Sequence, residues 1–358
     1  MSPERSTRLI TFVLCAVGIA GYLAVRWMVL PLGDQSRSPE PPAVRIIEVS
    51  EGTPFRQLAA KLEHERLIAS QWGFEILGRL TWADRRIPAG EYALHAGMSP
   101  TEILRILRNG QVVHYPVTIP EGYTVAQIAS LFDQKGLADK AEFLRLASDR
   151  DFIRTQGLDV SSLEGYLFPN TYHVARHATS KELISTMVAD LWQAFTPELR
   201  ARAKDINMSV HQVLTLASVI EKETSVDGER ELISAVFHNR LRRKIPLQSD
   251  PTVIYGLKTY DGNLRKRDLA AATPYNTYRV RGLPPGPIAS PGARSIRAAL
   301  FPAPTTFLYF VSRNDGTHVF SSTLAEHNRA VNKYQRRPVR TRDSRMMRLT
   351  APAFSLSP

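Results

Sequence analysis

Over residues 209–243 the chain reads SVHQVLTLASVIEKETSVDGERELISAVFHNRLRR, and the first half of this stretch has almost no polar position. Val210, Val213, Leu214, Leu216, Ala217, Val219 and Ile220 make the helix apolar nearly all round. With Ser209 placed to cap it, the pattern predicts a helix buried all round rather than one lying on a surface. A second, amphipathic helix is expected over 227–243, with Leu232, Ile233, Val236, Phe237 and Leu241 on its apolar side. The first helix ends on Glu221 and Glu223. A carboxylate there either stays solvated at the helix end, pairs with a cation, or is desolvated, which raises its pKa from ~4.3 toward neutrality and makes it a proton donor. Two residues apart, the glutamates stand roughly 200° apart on a helix. Glu223 continues the Leu216, Val219, Ile220 face and Glu221 the Leu214, Ala217 face, so periodicity does not choose between them.

Upstream there is a repeat. VSEGTPFRQLAAKL from Val49 matches IPEGYTVAQIASLF from Ile119, with Glu51 and Gly52 against Glu121 and Gly122, and Leu67 opposite Leu137 at the same offset. Each copy reads as a short strand, a glycine turn with a threonine cap (Thr53, Thr124), an amphipathic helix, and a second helix after the leucine. A strand and turn are expected over 87–98, and a helix capped by Ser99 and Glu102 that stops at Gly110. LEGYLFPNTY over 163–172 is either a tight loop packed by its rings or a stacking platform for sugars. A helical segment follows over 180–204, broken near Pro197. Beyond residue 243 the pattern turns to loops (LQSDPTVIY, TPYNTY, GLPPGPIASPG), with a strand over 307–311 and then GTHVF and EHN. Such Pro- and Gly-dense loops suit either a preorganised cleft or plain surface turns.

Residues 9–25, LITFVLCAVGIAGYLAV, form an uncharged apolar run that extends to Leu30 if Arg26 snorkels. A single membrane-spanning helix over 9–30 is expected, with residues 1–8 cytoplasmic because Arg5 and Arg8 precede it. A cleaved signal peptide fits less well, since the run is long and lacks a small-residue cleavage site. Residues 31–43, rich in Pro and Ser, make a linker. The net charge of +12 is unevenly placed: in a tail over 336–358 six arginines face only Asp343, and this segment is expected to be disordered. No aromatic-and-basic nucleic-acid module accompanies it, so a membrane surface or acidic polymer fits equally well and no nucleic-acid partner is assigned. The only cysteine, Cys15, lies in the apolar run, which excludes disulfides and thiolate zinc sites from the rest of the chain.

Taken together, LASVIEKETS, LQSDPTVIYG, YNTY, GLPPGPIASPG, GTHVF and EHN resemble the endolytic murein transglycosylases, the MltG or YceG-like family, in order and spacing up to about Tyr334. The resemblance implies an α+β protein: an N-terminal transmembrane helix, a LysM-like strand-helix-helix-strand region over 44–160, and a catalytic domain over 161–335 with a lysozyme-like glutamate helix. It also implies an inner-membrane enzyme with its catalytic domain in the periplasm. Such an enzyme cleaves the β-1,4 bond after N-acetylmuramic acid in peptidoglycan without water, leaves a 1,6-anhydro end, and works beside glycan-polymerising synthases. Glu223-Thr224 looks like the Glu-Ser/Thr pair after an apolar helix in lysozyme-like transglycosylases, so the catalytic role goes to Glu223, with Glu221 as the alternative. Glu221 is then a structural carboxylate paired with an arginine such as Arg240. Carried over by motif, Gln248, Asp250, Tyr255, Asn276 and Tyr278 would hold the substrate or the acid. His318 and Asn328 would do the same, with His318 equally readable as a satisfied core histidine. Ser249 departs from the usual Thr. No metal or cofactor is expected, because one tuned carboxyl serves as acid and then base.

The rival reading is a non-catalytic, membrane-anchored peptidoglycan-binding scaffold. A serine hydrolase or zinc amidase is a poorer fit, since there is no G-x-S-x-G elbow and no H-E-x-x-H helix.

Overall fold

The computed structural model describes residues 18–19, 43–82 and 87–335. In chain order the elements are β1 (Arg45–Val49), α1 (Phe55–His64), α2 (Gln71–Leu80), β2 (Gly90–Leu94), α3 (Pro100–Arg108), β3 (His114–Thr118), α4 (Val125–Gln134), α5 (Lys140–Ala147), α6 (Arg150–Thr155) and β4 (Thr171–Ala175). Then come α7 (Ser180–Ala194), α8 (Pro197–Asp205), α9 (Val210–Glu223), α10 (Arg230–Arg242), α11 (Asp250–Gly256), α12 (Lys266–Leu269), α13 (Ala293–Leu300), β5 (Tyr309–Ser312), β6 (His318–Ser321) and α14 (Leu324–Tyr334). The fold is α+β, and among the described residues the strands pair as β1-β2, β3-β4 and β5-β6. The expected membrane run and linker lie outside the described residues except for 18, 19 and 43, as does the tail at 336–358. Among the described residues no helix is long and apolar enough to cross a membrane.

The chain divides into two compact units. The first holds the described residues up to Val117 together with Phe132–Ala138 and Thr171–Thr179; the second holds Thr118–Leu131, Asp139–Asn170 and the described residues from Ser180 onward.

In the first unit β1 and β2 run antiparallel, Ile47 opposite Tyr92, with α1 and α2 between them in the chain. Alternation along β1 buries Ile47 and Val49 and turns Ile46 and Glu48 outward. Leu58, Ala59 and Leu62 of α1 meet Phe74 and Leu77 of α2 in one core. Gly78 is what lets these helices approach, since a Cβ there would fall 2.4 Å from the Phe55 ring. Ser70 caps α2 through the Gly73 N–H, and Ser99 caps α3 through the Glu102 N–H. Thr53 does not cap α1 as expected. Its hydroxyl donates back to the Ser50 carbonyl (2.8 Å), and Pro54 occupies the cap position. Thr124, its counterpart in the second copy, does cap, accepting from the Gln127 N–H while the Gln127 side chain accepts from the Thr124 N–H.

In the second unit α9 is the central helix. Ser209 and Gln212 close a capping box at its start, and every residue from Val213 to Ile220 is buried. It packs against α13, and α10 packs against both. The helix expected over 227–243 begins with a 3₁₀ turn at Asp227–Glu229 before α10. LQSDPTVIY is not all loop: Asp250 opens α11, with Pro251 in the first turn, where its missing N–H costs nothing. EHN likewise lies within α14, which Thr323 and Glu326 cap.

The LEGYLF loop carries its side chains inward. Leu163, Tyr166 and Leu167 are buried, which leaves packing rather than a sugar platform as their role. Its turn depends on Gly165, at φ +79° and so close to Pro287 that a Cβ would fall 2.3 Å from the proline's own. Gly157 has a similar φ of +74° but open space around it. Gly165→Ala should therefore lower the unfolding free energy by clearly more than the ~1 kcal/mol expected of Gly157→Ala, where only the backbone penalty applies. Denaturant midpoints of the two variants compare them directly.

Candidate active site

α9 ends at Glu223 because Thr224 leaves helical geometry (φ −147°, ψ 142°), its N–H still bonded to the Ile220 carbonyl. The Glu223 side chain keeps intermediate exposure. Its Oε1 accepts a short hydrogen bond from the Ser249 hydroxyl. Among the described residues no cation pairs with it. Burial pushes its carboxyl up to about 7; the Ser249 bond pulls the other way, and the negative charge of Asp250 adds to the rise. A carboxyl so placed is an acid that can give and regain a proton near neutrality.

The strap over 246–250 holds Ser249 in position. Ser249 is buried, its N–H donates to Thr277 Oγ1 (3.0 Å), and Thr252 bonds both to the same hydroxyl (2.8 Å) and to the Ser249 carbonyl (2.7 Å). Gln248 adopts φ +54°, a strained value for a side-chain-bearing residue, and the Arg240 guanidinium holds it. Arg240 donates to Gln248 Oε1 (3.1 Å) and to the carbonyls of Pro246, Leu247 and Leu308. Asp250 accepts from the Tyr278 hydroxyl (2.6 Å), and burial, then this bond, raises the pKa of that tyrosine. Asn276, fully buried, donates to the carbonyls of Leu269 and Ala271 and accepts from the Tyr278 N–H, so it shapes the turn that presents Tyr278. Gln248, Asp250, Asn276 and Tyr278 thus gather around Ser249 and Glu223.

Glu221 has a different environment. Its side chain is 6% exposed, Oε1 lies 3.6 Å from the Arg230 guanidinium, and Oε2 accepts from the Gly292 N–H (2.9 Å). The expected partner, Arg240, is committed to the strap; Arg230 takes its place because it opens α10, directly after the turn that follows α9.

Tyr255 belongs to a second carboxyl. Its hydroxyl donates to Glu164 Oε2 (3.2 Å), and its ring packs on Tyr275 at 4.8 Å. Glu164, 7% exposed, also accepts from the Val125 N–H (3.1 Å). Burial raises its pKa to about 7 against these bonds and the Gly165 N–H. Sequence reasoning read the LEGYLF stretch for its rings and missed this acid; a glutamate between Leu163 and Gly165 in an otherwise apolar run was the available signal.

His318 and Asn328 make no hydrogen bond to the Glu223 group. His318 is held by Glu229, through Nδ1 (2.7 Å) and through its N–H (2.8 Å), with the Phe310 ring edge-on. Asn328 lies exposed on α14. The neighbouring His327 stacks on Tyr309 at 5.1 Å, and Arg240 lies over that same tyrosine. A cavity of ≈ 610 Å³ lies by the start of α9, lined by His211, Gln212, His238 and the turn at Gly282 to Pro285; no carboxylate lines it. Among the described residues no three or more His, Cys, Asp or Glu side chains converge as metal ligands.

The YceG-like family model matches residues 47–333. A protein named endolytic murein transglycosylase from Bacillus subtilis (strain 168) is 35% identical over 303 residues, covering 80% of this chain and 84% of its own length. Another of that name, from Streptococcus pneumoniae serotype 2, is 31% identical over 352 residues, 89% of this chain and 62% of that longer protein. The crystal structure of a yceG-like protein from Listeria monocytogenes aligns with a TM-score of 0.56 at 32% identity, over 80% of this chain and 98% of that one. The matched span runs from the first strand to the last helix and includes α9 with both of its glutamates, so the chain belongs to the YceG-like family.

Proposed function

We propose that the protein is an endolytic murein transglycosylase that uses Glu223 as its acid and base. In this reading the protonated Glu223 gives its proton to the glycosidic oxygen between N-acetylmuramic acid and N-acetylglucosamine, and the bond from that oxygen to C1 breaks. The resulting carboxylate then takes the proton of the muramic acid C6 hydroxyl as O6 bonds to C1. Charge and atoms balance without water, and Glu223 returns protonated. The observation that carries this is a cation-free carboxyl at about 7, reachable from solvent at the end of a buried helix. A hydrolytic pair of carboxylates is unnecessary for such chemistry. Asp250, Tyr278 and Gln248 would bind the N-acetylated sugars and keep the acid aligned, a role supported by their position around Ser249. The strand-helix-helix-strand order of β1, α1, α2 and β2 supports a LysM-like role in holding glycan. The apolar run at 9–30 would anchor the chain in the inner membrane, with both units on the periplasmic side beside glycan-polymerising synthases.

Glu223→Gln should leave the fold intact and lower the yield of anhydro-ended fragments by about 10² or more; mass spectrometry of digested glycan distinguishes these products by being one water lighter than hydrolytic ones. Product of hydrolytic mass from the native protein would reject the reading. Glu221→Gln should act on stability instead, costing about 1–3 kcal/mol, because the Gly292 N–H loses a charged acceptor and the buried Arg230 keeps Asp227 as its one carboxylate partner, as read by thermal or denaturant unfolding.

The pH dependence follows from the same groups. Glu223 is active protonated, so kcat/KM should fall as pH rises through about 7. Ser249→Ala removes the donor that favours the charged form and should move this limb upward, whereas Ser249→Thr should leave it in place. Between the ordinary value of 4.5 and about 7 the folded protein holds protons that the unfolded chain releases, so stability should decline with rising pH across that window. Glu164→Gln and Glu223→Gln should each flatten part of the decline, measured as unfolding free energy against pH.

A further inference from the structure

The cavity of ≈ 610 Å³ beside the start of α9 takes no part in the chemistry at Glu223, yet its size is that of a ligand site. Its walls are fixed in place. The His211 Nε2–H donates to the Pro285 carbonyl (2.8 Å) and Nδ1 accepts from the Tyr166 hydroxyl (2.8 Å), while the His238 Nε2–H donates to the Ala299 carbonyl (2.8 Å). Burial lowers the pKa of His238 against that bond, and the positive charge of Arg242 adds to the fall. Of the lining residues Arg242 alone carries a permanent charge. Its Nη2 donates to Asn239 Oδ1. The surroundings have the same sign: Arg242 ends α10, Arg243 and Lys244 follow it, and Arg279 and Arg281 lead into the turn at Gly282. All five are exposed, and among the described residues none is paired with a carboxylate. Exposed arginines elsewhere in this unit do find one, Arg145 with Asp149, Arg265 with Asp261 and Arg294 with Asp227. Unpaired cations beside a recess with low-dielectric walls concentrate anions there, and a guanidinium holds a carboxylate through two parallel bonds.

The cavity shares its walls with the acid. α9 gives it Gln212 and Thr215, which at about 100° per residue stand about 20° and 80° round the helix from Glu223, and His211, at about 120°, closes the far wall. α10 gives it Leu241 and Arg242, directly after the Arg240 that holds the strap at Gln248. The third wall begins at Gly282, a few residues after the Tyr278 whose hydroxyl meets Asp250. Along the axis of α9, Thr215 precedes Glu223 by about 12 Å, and an extended peptide of about four residues spans roughly 13 Å. In murein the muramic acid ring carries such a peptide on its lactyl group, and free carboxylates make that peptide anionic. With C1 of that ring at Glu223, its peptide is long enough to end in the cavity.

We propose that this cavity is a subsite for the anionic stem peptide of the strand being cut, with Arg242 as the group that takes a peptide carboxylate. This rests on the transglycosylase reading given above, and the test separates the two. The full-length protein is given glycan strands that keep their peptides and the same strands stripped by an N-acetylmuramoyl-L-alanine amidase, and N-acetylmuramoyl-tetrapeptide is titrated into it by calorimetry. Peptide-bearing strands should have the lower KM. Arg242→Gln should raise that KM and weaken binding of the muramoyl-peptide by about tenfold, the worth of one charge-assisted hydrogen bond, with a clearly smaller effect on stripped strands. Leu283→Trp, which narrows the cavity without changing its charge, should act in the same way. An unchanged unfolding midpoint identifies a folded variant, and where one of the two is lost the other decides. Equal effects on both kinds of strand overturn the peptide subsite and make the cavity a sugar subsite; no effect on either overturns it outright. Muramoyl-peptide binding that depends on Arg242, without release of anhydro-ended fragments, keeps the subsite and rejects the reaction. Anhydro-ended fragments released with no dependence on Arg242 or Leu283 keep the reaction and reject the subsite.

Discussion

The desolvated carboxyl of Glu223 governs the rest of the site, because removal from water without a cation to meet it disfavours the charged form and lets the group keep its proton up to about pH 7. Two residues earlier on the same helix, Glu221 solves the same problem the opposite way, with a buried arginine and a backbone N–H. One helix turn thus carries two glutamates in different surroundings, one met by a cation and one not. What separates them is which segment each one faces: α10 and the turn before α13 for Glu221, the strap around Ser249 for Glu223.

That separation requires both segments to be held stiffly. The Pro-rich stretch is tied at several points, with the Ile288 N–H on the Ser218 hydroxyl, the Gly292 N–H on Glu221, and Gly122 and Tyr123 exchanging backbone bonds with Ser290. The strap before α11 is tied by Arg240 on one side and by Thr277 on the other. Arg240 is costly to bury, and its guanidinium is occupied by three backbone carbonyls and a side-chain amide rather than by a carboxylate. It therefore rigidifies the strap without adding an anion near the acid.

The two copies of the repeat show one local solution put to different uses. Gly52 and Gly122 share φ +76°, yet Gly52 has open space around it, while Gly122 lies against the side chains of Glu221 and Lys222 and takes the Lys222 ammonium on its carbonyl (3.3 Å). Through Gly122 the second copy contributes to the support of the helix that carries Glu221 and Glu223. The first copy, in β1, α1 and α2, instead exposes aromatic surface.

Local rules were enough for much of this protein. The all-round apolar run from Val213 to Ile220 determined a buried helix, Ser209 its start, and the positive-φ glycines the turns of the repeat, because each depends on spacing, capping and backbone sterics over a few residues. The family resemblance of the motifs likewise implied Gln248, Asp250, Tyr255, Asn276 and Tyr278 as residues that hold the substrate or the acid, and all but Tyr255 gather at the Glu223 end of the helix. Tertiary structure alone decided what lies across the gap from each side chain. Arg230 rather than Arg240 meets Glu221, Tyr255 turns to Glu164 rather than to Glu223, and His318 is claimed by Glu229. Proton affinity depends on the burial and charges that surround a group in three dimensions, and neighbours some 25 to 90 positions away along the chain leave no periodic trace in the residues that they tune.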